Sequence, residues 1–186
     1  SGIFERFVDA MEGAIRAEVV GPGSDPRTTV GPLINERQRA GVHDIVARSV
    51  EAGAVPVMGG HAIEGPGYFY APTLLRDVPA NAAILHEEVF GPVTPVVPFN
   101  NLDEAVGLAN ATEYGLAAFV MTRDLNHAMR ASERLEFGMI GINDWYPVTA
   151  EAPFGGFKQS GLGRESGVEG VHEYVEAKTR YFGGLS

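Results

Sequence analysis

Two stretches of this chain carry side chains whose types and spacing could do chemistry. The first is Glu87-Glu88-Val89-Phe90-Gly91-Pro92-Val93. A carboxylate on a turn stiffened by Gly-Pro can accept two hydrogen bonds from a vicinal diol such as a ribose, at modest conformational cost. Glu88 is placed for that role, and Phe90 could pack against a ring nearby. The plainer reading of Glu87 and Glu88 is a solvated acidic pair. The second stretch is Ala152-Pro153-Phe154-Gly155-Gly156-Phe157-Lys158-Gln159-Ser160-Gly161-Leu162-Gly163-Arg164-Glu165. Its glycines allow a tightly turning loop with close backbone approach. It has neither Gly-x-x-x-x-Gly-Lys-Ser/Thr nor a Gly-x-Gly-x-x-Gly that follows a strand and opens a helix, so it is no phosphate cradle. Lys158 and Arg164 could face an anion or pair with local acids, and local pairing is the simpler expectation.

Other reactive sets are missing. The chain contains no cysteine, which excludes disulfides and thiolate metal sites. Its five histidines, His43, His61, His86, His127 and His172, show no His-Glu-x-x-His or other metal spacing, so no metal centre is expected. Neither a Ser/His/Asp arrangement nor a Gly-x-Ser-x-Gly elbow is present. A formal charge of −10, with 14 scattered Lys and Arg, argues against nucleic acid as a partner. No apolar run approaches the roughly 18 residues that a membrane span needs. The start, Ser1 to Phe7, lacks the basic and apolar regions of a secretory signal. Cytoplasm is the default compartment.

The elements that must position these residues follow from periodicity. Ile3, Phe7, Met11 and Ile15 form a helical stripe, ended by Gly21-Pro22-Gly23. A second helix is expected from about Glu36 to Ala52, with Val42, Ile45, Val46 and Val50 inward and Gly53 at its end. Val55 to Met58, Thr73 to Val78, Thr94 to Phe99, Leu116 to Met121 and Gly138 to Asn143 read as strands. Helices are expected after Asn101, from Asp124 to about Leu135, and from Gly167 to Ala177. The alternation from Thr94 to Asn143, with continuously apolar strands, predicts an α/β fold with a mostly parallel open sheet and helices on both faces. Asn143 would close one strand, and ligands of such sheets sit beyond strand C-termini. The loop Asp144-Trp145-Tyr146-Pro147-Val148-Thr149 could therefore line a pocket, or its aromatics could simply cover an edge of the core.

These residues carry a resemblance. The blocks around Glu88 and Phe154, with Gly31-Pro32-Leu33-Ile34 and Asn110-Ala111-Thr112-Glu113-Tyr114-Gly115-Leu116, look like the C-terminal part of an aldehyde dehydrogenase, in family order and spacing through nearly the whole chain. The resemblance implies residues 1–178 as a partial catalytic domain and residues 179–186 as a strand that joins a neighbouring subunit's sheet, making a homo-oligomer. It implies NAD or NADP as cofactor, contacted by Glu88, Phe90 and Gln38. Trp145, Thr149 and Phe154 would line the site of a small aldehyde, and Glu165 would be a buried proton relay. The blocks Gly161 to Glu165, Glu173 to Lys178 and Gly183 to Leu185 are closest to the succinate-semialdehyde dehydrogenase branch, in which Thr149 would help to hold the far carboxylate. The family mechanism is thiolate attack on the aldehyde, hydride transfer to NAD(P), and thioester hydrolysis. The cysteine, the general-base glutamate and the dinucleotide-binding domain would lie before Ser1, in the remainder of a full-length enzyme. The chain alone is accordingly expected to be inactive. The rival reading is a stand-alone, non-catalytic oligomerisation or binding module of the same fold.

Overall fold

The computed structural model describes residues 2–184, which fall into two compact units, Ser1–Asn101 and Leu102–Ser186. In the first unit, helix α1 (Phe4–Arg16) and helix α2 (Glu36–Glu51) precede strands β1 (Val55–Met58), β2 (Thr73–Arg76) and β3 (Val93–Pro95), with a 3-10 turn at Ala83–Leu85. The sheet order is β1-β2-β3, with β1 antiparallel and β3 parallel to the central β2. Adjacent residues of a strand point to opposite faces. Leu75 accordingly packs with Ile45 of α2, Val78 and Ile84, while Leu74 packs with Val8 of α1 and Val96. Both leucines are fully buried. One helix thus covers each face of this sheet. Helix α2 opens where the Asn35 side chain accepts a hydrogen bond from the Gln38 N–H (2.9 Å), the usual role of an N-cap amide.

The second unit contains α3 (Leu102–Asn110), β4 (Tyr114–Gly115), β5 (Ala117–Val120), α4 (Leu125–Arg134), β6 (Met139–Ile142), β7 (Phe157–Lys158) and α5 (Gly167–His172). Strands β5 and β6 pair in parallel, Ala117 opposite Met139 through Val120 opposite Ile142, with α4 as the crossover. Asp124 caps α4 by accepting from the His127 N–H (3.0 Å), a bond that holds its carboxyl below the usual range. Asp103 of α3 pairs with Arg130 and Arg134 of α4. Buried Val106, Ala128 and Ala131 form the apolar sides of these two helices.

Three features depart from the sequence expectations. The described residues form three small sheets of mixed direction, with two parallel and two antiparallel pairings, in place of one mostly parallel open sheet. The strands are two to four residues long. Pro95 and Pro98 lack the N–H that a ladder needs, so the strand expected over Thr94 to Phe99 contracts to Val93–Pro95. The short β4–β7 pair carries too few residues for a period to show. At the far end, the helix expected to reach Ala177 stops at His172, and residues 179–184 are exposed without regular secondary structure. Backbone groups of a strand require a neighbouring edge, and this segment has none among the described residues. Leu185 and Ser186, which the expected strand included, lie outside the described residues. Among the described residues no helix is long and apolar enough to cross a membrane.

Candidate cofactor and substrate sites

Helix α2 grips the segment from Ile84 to Gly91 at four points along one side. Ser49 is fully buried; its hydroxyl donates to the Ile45 carbonyl (2.7 Å) and accepts from the Ile84 N–H (3.0 Å). Arg48 forks onto Glu87, Nη1 to Oε1 at 2.7 Å and Nη2 to Oε2 at 2.8 Å, while its Nε donates to Asp44 (2.8 Å). Val42 abuts Gly91 so closely that a Cβ there would lie 2.7 Å from Val42 Cγ2, which reserves the position for glycine. Gln38 Nε2 donates to the Phe90 carbonyl (3.1 Å). Positions 38, 42 and 49 share one face of a 3.6-residue helix, and Arg48 flanks that face.

The two neighbouring acids consequently differ. The Arg48 fork holds the Glu87 carboxyl below the usual carboxylate range and occupies both of its oxygens. Glu88 is exposed and has no partner among the described residues. Phe90 is 66% exposed. The structure thus joins Gln38 to Phe90 through the backbone carbonyl, and Glu88, two residues before Phe90, is a free acceptor carboxylate. The plainer expectation of a solvated acidic pair holds for Glu88 and not for Glu87, which Arg48 ties down.

In the second unit, Phe154 and Glu165 exchange backbone hydrogen bonds of 2.7 and 2.8 Å. They line an open cleft of about 300 Å³ together with Leu116, Arg164, Glu173 and Tyr174. Glu165 is exposed, in contrast to the buried position the resemblance implied. The bridge fixes its backbone at the cleft wall and leaves the side chain facing solvent. The loop is anchored from beneath: the Ser160 hydroxyl accepts from the Gly115 N–H (2.9 Å), and a Cβ on Gly138 would meet the Gly155 carbonyl oxygen at 1.9 Å. Lys158 is spoken for by Glu136 (2.7 Å) and the carbonyls of Asn110 and Thr112. Arg164 departs from the expected acid pairing, since its guanidinium donates to the Gly163 carbonyl and lies 5.7 Å from the Phe157 ring centroid.

The remaining substrate candidates divide. The Thr149 hydroxyl accepts from the Ala152 N–H (3.2 Å), and the Ala150 carbonyl accepts from the Gly167 N–H (3.0 Å), so this loop is joined to the segment after Glu165. Trp145 is 72% exposed and rests instead on Phe119 of β5, ring centroids 5.4 Å apart. Asn143 adopts φ +53°, and its side chain bonds both ways with Thr122, accepting from its N–H (2.9 Å) and donating to its carbonyl (2.8 Å). Sequence reasoning missed Arg48, Ser49 and Phe119. Arg48 stands ten residues beyond Gln38 on the same helix, but its partner Glu87 is 39 residues away and no local pattern links them. Among the described residues no cluster of His, Asp or Glu could hold a metal ion.

Comparison with known proteins supplies the family. The profile of the aldehyde dehydrogenase family matches residues 1–180. A succinate-semialdehyde dehydrogenase of Paenarthrobacter nicotinovorans is 51% identical over 181 residues, covering 97% of this chain and 40% of that protein. The succinate-semialdehyde dehydrogenase of Escherichia coli K12, named for NADP(+), is 44% identical, covering 95% of this chain and 37% of that protein. Among solved structures, lactaldehyde dehydrogenase from Escherichia coli superposes with a TM-score of 0.93 at 42% identity, over 97% of this chain and 38% of that one. Betaine aldehyde dehydrogenase from Staphylococcus aureus, in complex with NAD+, gives a TM-score of 0.88 at 36% identity, over 94% of this chain and 35% of that one. The chain spans about two fifths of the length of the curated relatives it matches. Its relatives are oxidoreductases, and on a profile match of this extent the chain belongs to the aldehyde dehydrogenase family.

Proposed function

We propose that this chain is the C-terminal catalytic portion of an NAD(P)-dependent aldehyde dehydrogenase that oxidises a small semialdehyde to its carboxylic acid. The observation that carries the proposal is the unequal treatment of two adjacent carboxylates. Glu87 is occupied by Arg48, whereas Glu88 is left open, two residues before the exposed Phe90. An acceptor carboxylate with no competing donor suits the two hydroxyls of a ribose, and a bare aromatic face suits a flat ring. Glu88, Phe90 and Gln38 would hold the nicotinamide end of NAD or NADP, which supplies a hydride acceptor when bound.

On the substrate side, Thr149 accepts one hydrogen bond and keeps its own proton free to donate to a far carboxylate. Phe154, on the cleft, and the exposed Trp145 would offer apolar surface to the aldehyde. Glu165, at the cleft wall and open to solvent, would pass a proton between the cleft and bulk water. The chain contains no cysteine. The thiolate, the general base and the dinucleotide-binding domain are therefore assigned to the remainder of a full-length cytoplasmic enzyme, and residues 1–186 alone are inactive. The exposed segment 179–184 is assigned to pairing with a sheet edge of a second subunit.

The test is production of reduced cofactor from succinate semialdehyde by the complete polypeptide and, separately, by residues 1–186. Turnover is expected only from the complete polypeptide. Turnover by the isolated chain would refute the division of labour. A complete polypeptide inactive on succinate semialdehyde, glutarate semialdehyde and lactaldehyde alike would refute the substrate class.

A further inference from the structure

We propose that Arg48 is a positioning residue that sets the diol-binding edge by locking Glu87; the inference rests on reading Glu88 as the ribose acceptor. The segment from Glu87 to Gly91 has no regular secondary structure. Its entry is fixed by the Glu87 N–H on the Ala83 carbonyl (2.9 Å) and its exit by the Thr73 N–H on the Pro92 carbonyl (2.8 Å). Between these points Val89 packs against the buried cluster around Leu75 and Ile84, and two side chains of α2 bracket Glu88: Arg48 on the residue before it and Gln38 on the carbonyl two residues after it.

The form of the Arg48 contact matters. A two-pronged guanidinium–carboxylate pair fixes the plane of the carboxylate as well as its distance, which a single ammonium contact cannot do. Asp44, one turn earlier, holds the guanidinium from its Nε side (2.8 Å), so the fork arrives already aimed. With Glu87 immobilised, the chain direction into Glu88 is set. Arg48 also removes a competitor. Two neighbouring carboxylates could each reach for the same diol, and the fork leaves only one of them free.

The experiment is equilibrium binding to the complete polypeptide of two probes. One is the reduced nicotinamide dinucleotide that it prefers, and the other is the matching adenine nucleotide fragment, which lacks the nicotinamide ribose. Arg48→Met and Glu87→Gln should each weaken the dinucleotide about 2- to 5-fold, the range of an exposed ion pair, and leave the adenine fragment unchanged. The double variant should be no worse than either single one, because both changes break the same contact. Arg48→Lys should recover part of the loss. Glu87→Gln is an exposed, nearly isosteric change and serves where Arg48→Met fails to fold. Unchanged dinucleotide affinity in Arg48→Met and Glu87→Gln, alongside a loss in Glu88→Gln, would overturn the positioning role and leave the ribose reading intact. Equal losses for both probes would reduce Arg48 to general stabilisation and overturn it also. No loss in Glu88→Gln would refute the ribose reading and this inference with it.

Discussion

Replacing Ser49 by alanine removes one oxygen atom from a fully buried position, and the consequence can be worked from its two bonds. The bond to the Ile45 carbonyl is a local one within α2, and its loss costs little because that carbonyl also accepts within the helix. The bond from the Ile84 N–H is different: among the described residues the Ser49 hydroxyl is its only acceptor, and Ile84 is itself buried. A buried donor left without a partner costs about 1–3 kcal/mol. Alanine returns roughly 0.5 kcal/mol through its higher helix propensity. The net expectation is a loss of about 0.5–2.5 kcal/mol, read as a lower urea midpoint with unchanged slope. Ser132, whose hydroxyl bonds a carbonyl three residues back on the exposed side of α4, provides the control. Its replacement by alanine should stay within about 0.5 kcal/mol of the parent. If Ser49→Ala matched Ser132→Ala, the Ile84 donor would have found water or another acceptor, and the claim that α2 pins this turn through Ser49 would be refuted.

Three further outcomes follow from the same structure. Asn35→Ala should cost about 1 kcal/mol by removing the N-cap of α2, and hydrogen exchange should quicken first at Gln38, whose N–H it satisfies. Gly138→Ala forces a Cβ against the Gly155 carbonyl, a backbone atom that cannot swing aside. The loss should reach the upper end of overpacking costs, about 3 kcal/mol, and a stability change under about 1 kcal/mol would contradict the close approach. Burial pushes the Tyr70 phenol up to about 12. The folded state thus holds this proton more tightly than the unfolded chain, so the contribution is complete below about pH 10 and disappears as pH rises toward 12. Of the six tyrosines, one should ionise late by phenolate absorbance, and Tyr70→Phe should delete that phase.

How much of this was legible beforehand depends on the range of each interaction. Helix α2 was readable because its apolar spacing and Gly53 act within one or two turns, although Val50, expected inward, is exposed, and the Asn35 cap was not singled out from the sequence. Strands β1, β5 and β6 emerged within a residue or two because apolar β-branched runs mark them. The direction of strand pairing was not readable, since β1 meets β2 antiparallel through a long connection that no local signal orients. At the site, Glu88 and Phe90 could be singled out from their turn. The unequal fates of Glu87 and Glu88 could not, because a guanidinium 39 residues away decides between them. The exposed Glu165 shows the complementary limit: a motif fixes where a residue sits in the chain, but burial depends on what is packed over it.

The pairing of Asn143 with Thr122 has a consequence for how far the loop after it can vary. The amide of Asn143 presents a carbonyl and an N–H to one backbone residue, as a peptide group of a neighbouring strand would. It therefore continues the β5–β6 ladder one step past the last true strand residue and closes it off. Whatever follows begins from a fixed point in space, whether its side chains are bulky, as at Trp145 and Tyr146, or small. Insertions and substitutions there need not propagate back into the sheet. A single side chain thus separates the sheet from a loop whose sequence can vary without disturbing it.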